Sequence, residues 1–236
     1  MTSKFTLFYK FIKYKIGNLK RYLTKNNYQY TIKPSQAVTI FGRSFDNEEG
    51  HFIIKFLSEY DENVHLKISE SSLAKYHKEF CPTSSEDALS ILQEPLHNLF
   101  EYPWGIFGSN KEKSVKNSKL SRFCGPSSSE FINKEGESII KLYKKLKKNK
   151  YKPTIFPNSF IQGIWMIKNN GEKRFVVLQG NHRMAVLSYL GYKKIDVRTD
   201  LFDIKAVRED EINTWPSVSA NKISKEKALE MFYKFF

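Results

Sequence analysis

Four consecutive residues, Gly180-Asn181-His182-Arg183, combine side-chain types that suit phosphate binding. The apolar stretches on either side predict a strand before them and a helix after them, which places them in a strand-to-helix turn. Glycine lets the backbone approach an anion closely, and a helix N-terminus presents unpaired N–H groups and a favourable dipole. Arg183 can hold phosphate oxygens with its forked guanidinium, and His182 can transfer a proton near neutral pH. All four are therefore candidate phosphate-binding residues, with His182 and Arg183 as the catalytic candidates.

A structural interpretation of the same four residues stays open. In it, Arg183 forms a salt bridge within the fold and His182 caps the helix. Asn181 can orient an oxygen atom in either case, but its amide is too weak a nucleophile to attack one.

Phosphotransfer also needs a carboxylate, either as a base or to hold a metal ion. Proximity to the turn in sequence suggests candidates on two elements, although no motif selects among them and each one alone is more typical of a surface acid. They are Asp196, Asp200 and Asp203 after the turn, and Glu130 and Glu135 before it. The remaining histidines and the two cysteines lack the spacing of a zinc site; they are His51, His65, His77, His97, Cys81 and Cys124.

The elements that must position the turn follow from apolar periodicity and turn residues. Helices are predicted over 71–79, 85–92, 129–148, 184–190 and 224–236. Strands are predicted over 160–167, 174–179 and 194–197, and short strands or irregular structure over 37–41 and 51–57. The fold class is therefore predicted as α+β, a small mixed sheet whose Gly180 turn feeds a helix. Three regions are expected: a basic, mostly helical N-terminal region (1–100), a connection (101–128) and a phosphate-binding module (129–236).

The segment from Phe175 to Gly191, Phe-Val-Val-Leu-Gln-Gly-Asn-His-Arg-Met-Ala-Val-Leu-Ser-Tyr-Leu-Gly, resembles the core of the ParB/sulfiredoxin superfamily. That core is a strand, a Gly-x-x-Arg turn and a helix, and the resemblance is most specific over residues 153–198. More loosely, Trp104-Gly105, Phe123-Cys-Gly-Pro126 and Trp215-Pro216 resemble a ParB-like branch whose genes occur among those for bacterial surface polysaccharides. The resemblance implies a nucleoside triphosphate, ATP or CTP, bound with Mg²⁺ at the turn.

Differences within the superfamily narrow the implied chemistry. Asn181 stands where sulfiredoxins have their catalytic cysteine, which argues against sulfinic-acid reduction. Chromosome-partitioning members bind CTP through Gly-Glu-Arg-Arg-like turns, whereas free-serine kinases carry His-His-Arg or a similar variant, which is nearer to the sequence here. The resemblance therefore implies a kinase that phosphorylates a hydroxyl of a small molecule or sugar. Two alternatives stay open: a non-catalytic nucleotide-sensing or DNA-associated binding protein, and a degenerate member that acts as a scaffold.

Charge is concentrated at the N-terminus. The formal net charge is +14. Residues 1–45 contain no acidic residue, and their basic residues are Lys4, Lys10, Lys13, Lys15, Lys20, Arg21, Lys25, Lys33 and Arg43. This asymmetry predicts an anionic partner: a membrane surface, an acidic glycan or, with less support, nucleic acid. Residues 5–23 predict a basic amphipathic helix, which suits either a membrane interface or packing on the core. No apolar run approaches the ~20 residues that span a bilayer, so we expect a cytoplasmic protein that can associate with a membrane surface.

Overall fold

A computed structural model describes residues 28–46, 51–91, 102–105, 123–153, 160–199 and 204–236. The α-helices in these ranges are α1 (Phe52–Glu62), α2 (Ser72–Glu79), α3 (Ser85–Ala88), α4 (Ser129–Asn149), α5 (Asn181–Tyr189), α6 (Pro216–Ser219) and α7 (Lys225–Tyr233). Short 3-10 helices cover Pro34–Gln36, Ile68–Glu70 and Glu209–Thr214. The strands are β1 (Gln29–Ile32), β2 (Ala37–Val38), β3 (Ile161–Ile167), β4 (Lys173–Gln179), β5 (Ile195–Arg198) and β6 (Ala206–Arg208).

These strands form one mixed sheet in the order β1-β5-β3-β4-β2, and β6 also pairs with β3. β3 and β4 are an antiparallel hairpin, whereas β5 and β6 both run parallel to β3. β1 is antiparallel to β5, and β2 is parallel to β4. The α+β class predicted from the sequence is therefore confirmed.

Alternate residues of the central hairpin enter two separate hydrophobic clusters, as the period of two along a strand requires. Phe175 and Val177 of β4 belong to a cluster that also contains residues of α1, α2, α4 and α5, whereas Val176 belongs to a second cluster. The second cluster includes Trp104, Trp215 and residues of α7. The sheet therefore has a packed layer on each face, and the Gly180 turn lies beside the layer formed by α1, α2, α4 and α5.

Most helices and strands around the Gly180 turn begin and end within two or three residues of their predicted bounds. The strand-like interpretation of residues 51–57 is wrong, because this stretch lies in α1. Its run of apolar residues is compatible with either a buried strand or a helix. In the structure α1 buries Ile53, Ile54, Phe56 and Leu57, which have the spacing of one helical face. The helix expected over 85–92 ends at Ala88, and residue 92 lies outside the described residues.

Residues 1–27 and 106–122 are outside the described ranges, and so is the predicted amphipathic helix over 5–23. Within the ranges that are described, none of the helices has the length and apolar character needed to cross a membrane. The strands β1 and β2, which come from the first hundred residues, pair with strands of the C-terminal module in a single sheet.

Candidate active site

The Gly180 turn has the predicted strand–turn–helix form. β4 ends at Gln179 and α5 begins at Asn181, so Gly180 alone makes the turn. Its φ is +98°, in the left-handed region that favours glycine. A β-carbon at this position would lie 3.2 Å from Ile161 Cγ1. Gly180 therefore meets both a conformational and a packing requirement, and no side chain caps the helix that starts after it.

His182 and Glu135 form a close polar contact across two helices. Nε2 of His182 on α5 lies 2.6 Å from Oε1 of Glu135 on α4. The His182 side chain is 34% exposed and that of Glu135 is 17% exposed, so solutes can reach the imidazole while the carboxylate is largely covered. A carboxylate held in this way orients the imidazole, which is how histidine bases are positioned in many enzymes. His182 therefore contacts Glu135 instead of capping its helix.

His51 is a second histidine beside this pair, and its position gives it an unusual state. Its ring stacks between Phe45 and Phe52, with centroid distances of 4.7 Å to each. Nδ1 accepts a hydrogen bond from the backbone N–H of Ile53 at 3.3 Å. Burial, together with the charges of Arg43 and His182, lowers the pKa of His51 to about 3, so the ring is neutral near pH 7.

Because Nδ1 of this neutral ring accepts a hydrogen bond, Nε2 must carry the proton. Nε2 of His51 is buried and has no hydrogen-bond partner in the part of the chain that the structure describes. An unsatisfied buried donor costs about 1–3 kcal/mol. His51 is thus a donor that a ligand oxygen could satisfy.

His77 lies near the same carboxylate. Its Nδ1 is 3.2 Å from the Ser127 hydroxyl, and its ring meets Phe131 of α4 edge-on. Burial lowers the pKa of His77, the Glu135 carboxylate partly opposes that shift, and the charge of His182 adds to it. The electrostatic environment of Glu135 therefore includes two histidines, of which only His182 lies within ion-pair distance.

Two adjacent cavities open beside these histidines. The inner cavity, of about 20 Å³, is lined by Asn181, His182, Glu135, His51 and Tyr76 among others. That volume holds roughly one water-sized group. The outer cleft, of about 430 Å³, is lined by Arg43, Lys55, Lys75, Glu79 and neighbouring residues, and it shares His51, Phe52 and Tyr76 with the inner cavity.

Arg183 points to a different part of the fold from His182. Its Nη1 donates to the backbone carbonyl of Phe160 at 3.1 Å, just before β3. Burial lowers the pKa of Arg183, and Tyr151 partly opposes this shift. Arg183 thus connects α5 to the start of β3, while His182 connects α5 to α4.

The candidate carboxylates have different partners in the structure. Glu135 meets His182, whereas Glu130 is exposed and pairs with Lys134 at 2.7 Å. Asp196 accepts a hydrogen bond from Thr31 at 2.7 Å, between β5 and β1. Asp200 and Asp203 lie outside the described residues. Among the residues that are described, no group of three or more His, Cys, Asp or Glu side chains could hold a metal ion.

No family model, curated protein or solved structure matches this chain. The relation to the ParB/sulfiredoxin superfamily therefore stays a prediction.

Sequence reasoning missed two features of this site. His51 lacks metal-ligand spacing, and histidine is not one of the residue types that mark a helix N-cap, so its capping of α1 has no local signal in the sequence. The outer cleft brings together Arg43, Lys55 and Lys75 from three segments of the chain. No local pattern relates these residues, because the packing of α1 against α2 and the position of the turn before Arg43 bring them to one place only in the folded chain.

Proposed function

We propose that this protein is a nucleotide-dependent phosphotransferase of ParB/sulfiredoxin type, which transfers a phosphoryl group from ATP or CTP to a hydroxyl of a small molecule or sugar. The observation that carries the proposal is the 2.6 Å contact between His182 and Glu135 at the start of α5, beside the inner cavity. A histidine oriented by a carboxylate at a glycine turn and helix N-terminus combines a proton acceptor with an anion-binding backbone.

In this reaction the acceptor oxygen forms a bond to the terminal phosphorus, and the bond from that phosphorus to the bridging oxygen breaks, which releases the nucleoside diphosphate. His182 takes the proton of the acceptor hydroxyl at Nδ1, because its Nε2 is directed at Glu135. Glu135 stabilises the resulting imidazolium and acts as a positioning residue. The proton later leaves to water, so the base is regenerated.

The turn supplies the phosphate contacts. Gly180 allows close approach of the backbone, and the first N–H groups of α5 point towards the same region with the positive end of the helix dipole. Mg²⁺ bound with the nucleotide would neutralise charge on the phosphates, and a magnesium ion held mainly by phosphates and water needs few protein carboxylates.

The bond from Arg183 to the Phe160 carbonyl favours a second candidate function. An arginine that supports the fold contributes less to charge stabilisation during transfer, which suits a protein that binds a nucleotide as a signal and does not turn it over. Both candidates predict nucleotide binding at the turn, and they differ in whether a diphosphate is formed.

The test uses the full chain with ATP, CTP and GTP, each with Mg²⁺, and measures thermal stabilisation and nucleoside diphosphate formation with and without a pool of sugars and hydroxyl amino acids. We expect one nucleotide to raise the melting temperature and to yield diphosphate when an acceptor is present. Glu135→Gln should keep binding and lower turnover by about 100-fold. Absence of stabilisation by every nucleotide would contradict both candidates, and binding without diphosphate formation would favour the second.

A further inference from the structure

The outer cleft has a positive lining. Arg43, Lys55 and Lys75 line it, against one carboxylate, Glu79. Arg43 follows a tight turn, and Lys55 and Lys75 lie on α1 and α2. Within the described residues none of these three cations forms an ion pair, so no carboxylate in direct contact neutralises their charge.

The position of Arg43 is determined by its turn. Gly42 has a φ of +70°, and a β-carbon there would lie 2.5 Å from the carbonyl oxygen of Lys234, so this position requires glycine. The Arg43 guanidinium lies 4.2 Å from the ring centroid of Phe80 and 5.4 Å from that of Tyr76. Stacking on two rings holds the guanidinium in one orientation and leaves its N–H edge able to meet an anion.

The other two cations lie on helices that are held together. The Ser72 N–H donates to Glu59 at 2.9 Å, and the Ser72 hydroxyl donates to the Phe52 carbonyl at 3.2 Å, which joins the start of α2 to α1. The rings of Phe52 and Tyr76 stack in parallel with centroids 3.7 Å apart. The floor of the cleft is therefore built of packed aromatic rings, and its volume of about 430 Å³ is in the range of small-molecule sites.

His51 points to a ligand independently of these charges. It lines the outer cleft and the inner cavity, it is only 6% exposed, and its Nε2–H meets no acceptor among the described residues. An oxygen-rich anion that enters the cleft can accept a hydrogen bond from this buried donor, and its negative charge suits the three cations that line the same cleft.

We infer that the outer cleft is a second anion site, separate from the Gly180 turn, which binds the phosphate of a small phosphomonoester. A phosphate dianion matches a cleft lined by three cations and one carboxylate, and its oxygens can accept from the Arg43 guanidinium. The unpartnered Nε2 of His51 is a further donor in the wall of the cleft. Glu79 can accept from a hydroxyl of the same molecule, and the Phe52–Tyr76 floor can contact its carbon skeleton. This inference concerns binding alone and does not depend on phosphotransfer at His182.

The test is calorimetric titration of the full chain with inorganic phosphate and with glycerol 3-phosphate, and with glycerol as the neutral control. We expect both phosphates to bind and glycerol not to bind. Lys55→Gln/Lys75→Gln should weaken binding at least tenfold, whereas Lys145→Gln/Lys148→Gln, which removes two exposed lysines of α4 outside the cleft, should bind like the natural chain. The single variants Lys55→Gln and Lys75→Gln give the same comparison if the double variant does not fold.

His51→Asn tests the buried donor directly. Asparagine can still cap α1 but has no atom equivalent to Nε2, so we expect a severalfold weaker affinity in a chain that still melts cooperatively. Equal affinities in the cleft and control double variants would overturn the inference, and so would the absence of phosphate binding at millimolar concentration. Loss of glycerol 3-phosphate binding in the presence of saturating nucleotide would show that the cleft belongs to the nucleotide site, which also overturns the proposal of a separate site.

Discussion

Glu135 on α4 and His182 on α5 are in direct contact, with Oε1 of the carboxylate 2.6 Å from Nε2 of the imidazole. The contact joins a helix that precedes the sheet hairpin to the helix that follows it, and it occurs at the first turn of α5. It also distinguishes Glu135 from Glu130 on the same helix, which is exposed and pairs with Lys134.

Replacing Glu135 with glutamine should lower phosphotransfer by about 100-fold, because an amide cannot stabilise the His182 imidazolium. The melting temperature should change little, since the substitution keeps the size of the side chain. Steady-state rates over a range of pH measure the effect, and a positioning role also predicts a changed pH profile. Glu130→Gln is the matched control and should leave the rate unchanged. A Glu135→Gln enzyme as active as the natural one, with the same pH profile, would disprove this role.

Gly180→Ala should destabilise the fold more than Gly171→Ala. Both glycines have positive φ, +98° and +86°, so each substitution carries about 1–2 kcal/mol of backbone strain. An alanine β-carbon would meet Ile161 at position 180 but nothing within 4 Å at position 171. Equilibrium urea unfolding measures the difference in unfolding free energy between the two variants. Because the backbone strain is similar, that difference reports the close contact with Ile161. Equal losses of unfolding free energy would show that the turn has room for a side chain.

Stability should fall as the pH drops below about 6.5, and His51 should account for part of that fall. Its pKa is lowered from 6.5 to about 3 in the folded chain. Below pH 6.5 the unfolded chain binds a proton at this residue and the folded chain does not. The contribution of His51 to the unfolding free energy is therefore complete above pH 6.5. It is lost as the pH falls towards 3, by about 1.4 kcal/mol per pH unit.

The comparison of the natural chain with His51→Asn isolates this contribution. Between pH 6.5 and pH 5 the natural chain should lose about 2 kcal/mol more unfolding free energy than the variant. His77, whose pKa is also lowered by burial, shifts both proteins in the same direction and cancels in the comparison. Parallel stability curves for the two proteins would mean that His51 is solvated in the folded state.

Ser188→Ala should cost about 1–3 kcal/mol, because it removes the donor from a buried carbonyl. The Ser188 hydroxyl donates to the Phe45 carbonyl at 2.6 Å, which connects α5 to the segment preceding His51. Ser219→Ala is the control: its hydroxyl donates to Pro216 at 3.1 Å on the surface, and the change should be within about 0.5 kcal/mol. Chemical denaturation measures both, and a negligible effect at Ser188 would contradict the role assigned to this bond.

The residues 51–57 show where local pattern alone fails. Their apolar character is compatible with a buried strand or with one face of a helix, and periodicity does not separate these alternatives in so short a run. In the structure His51 caps α1 through Ile53, and the apolar residues pack towards α5. Tertiary packing therefore favours the helix over the strand for this segment, because packing decides the structure of short apolar segments.

By contrast, local sequence was sufficient for the hairpin of β3 and β4, for α4, and for the glycine turn into α5. These features depend on neighbouring residues: strand alternation, the Asn-Gly turn, the apolar stripe of a long helix and one position with positive φ. The pairing of His182 with Glu135, the burial of His51 and the grouping of Arg43, Lys55 and Lys75 were decided only by the tertiary structure. The physical reason is that each depends on how α1, α2 and α4 pack around α5, and contacts between distant segments leave no periodic signal in the chain.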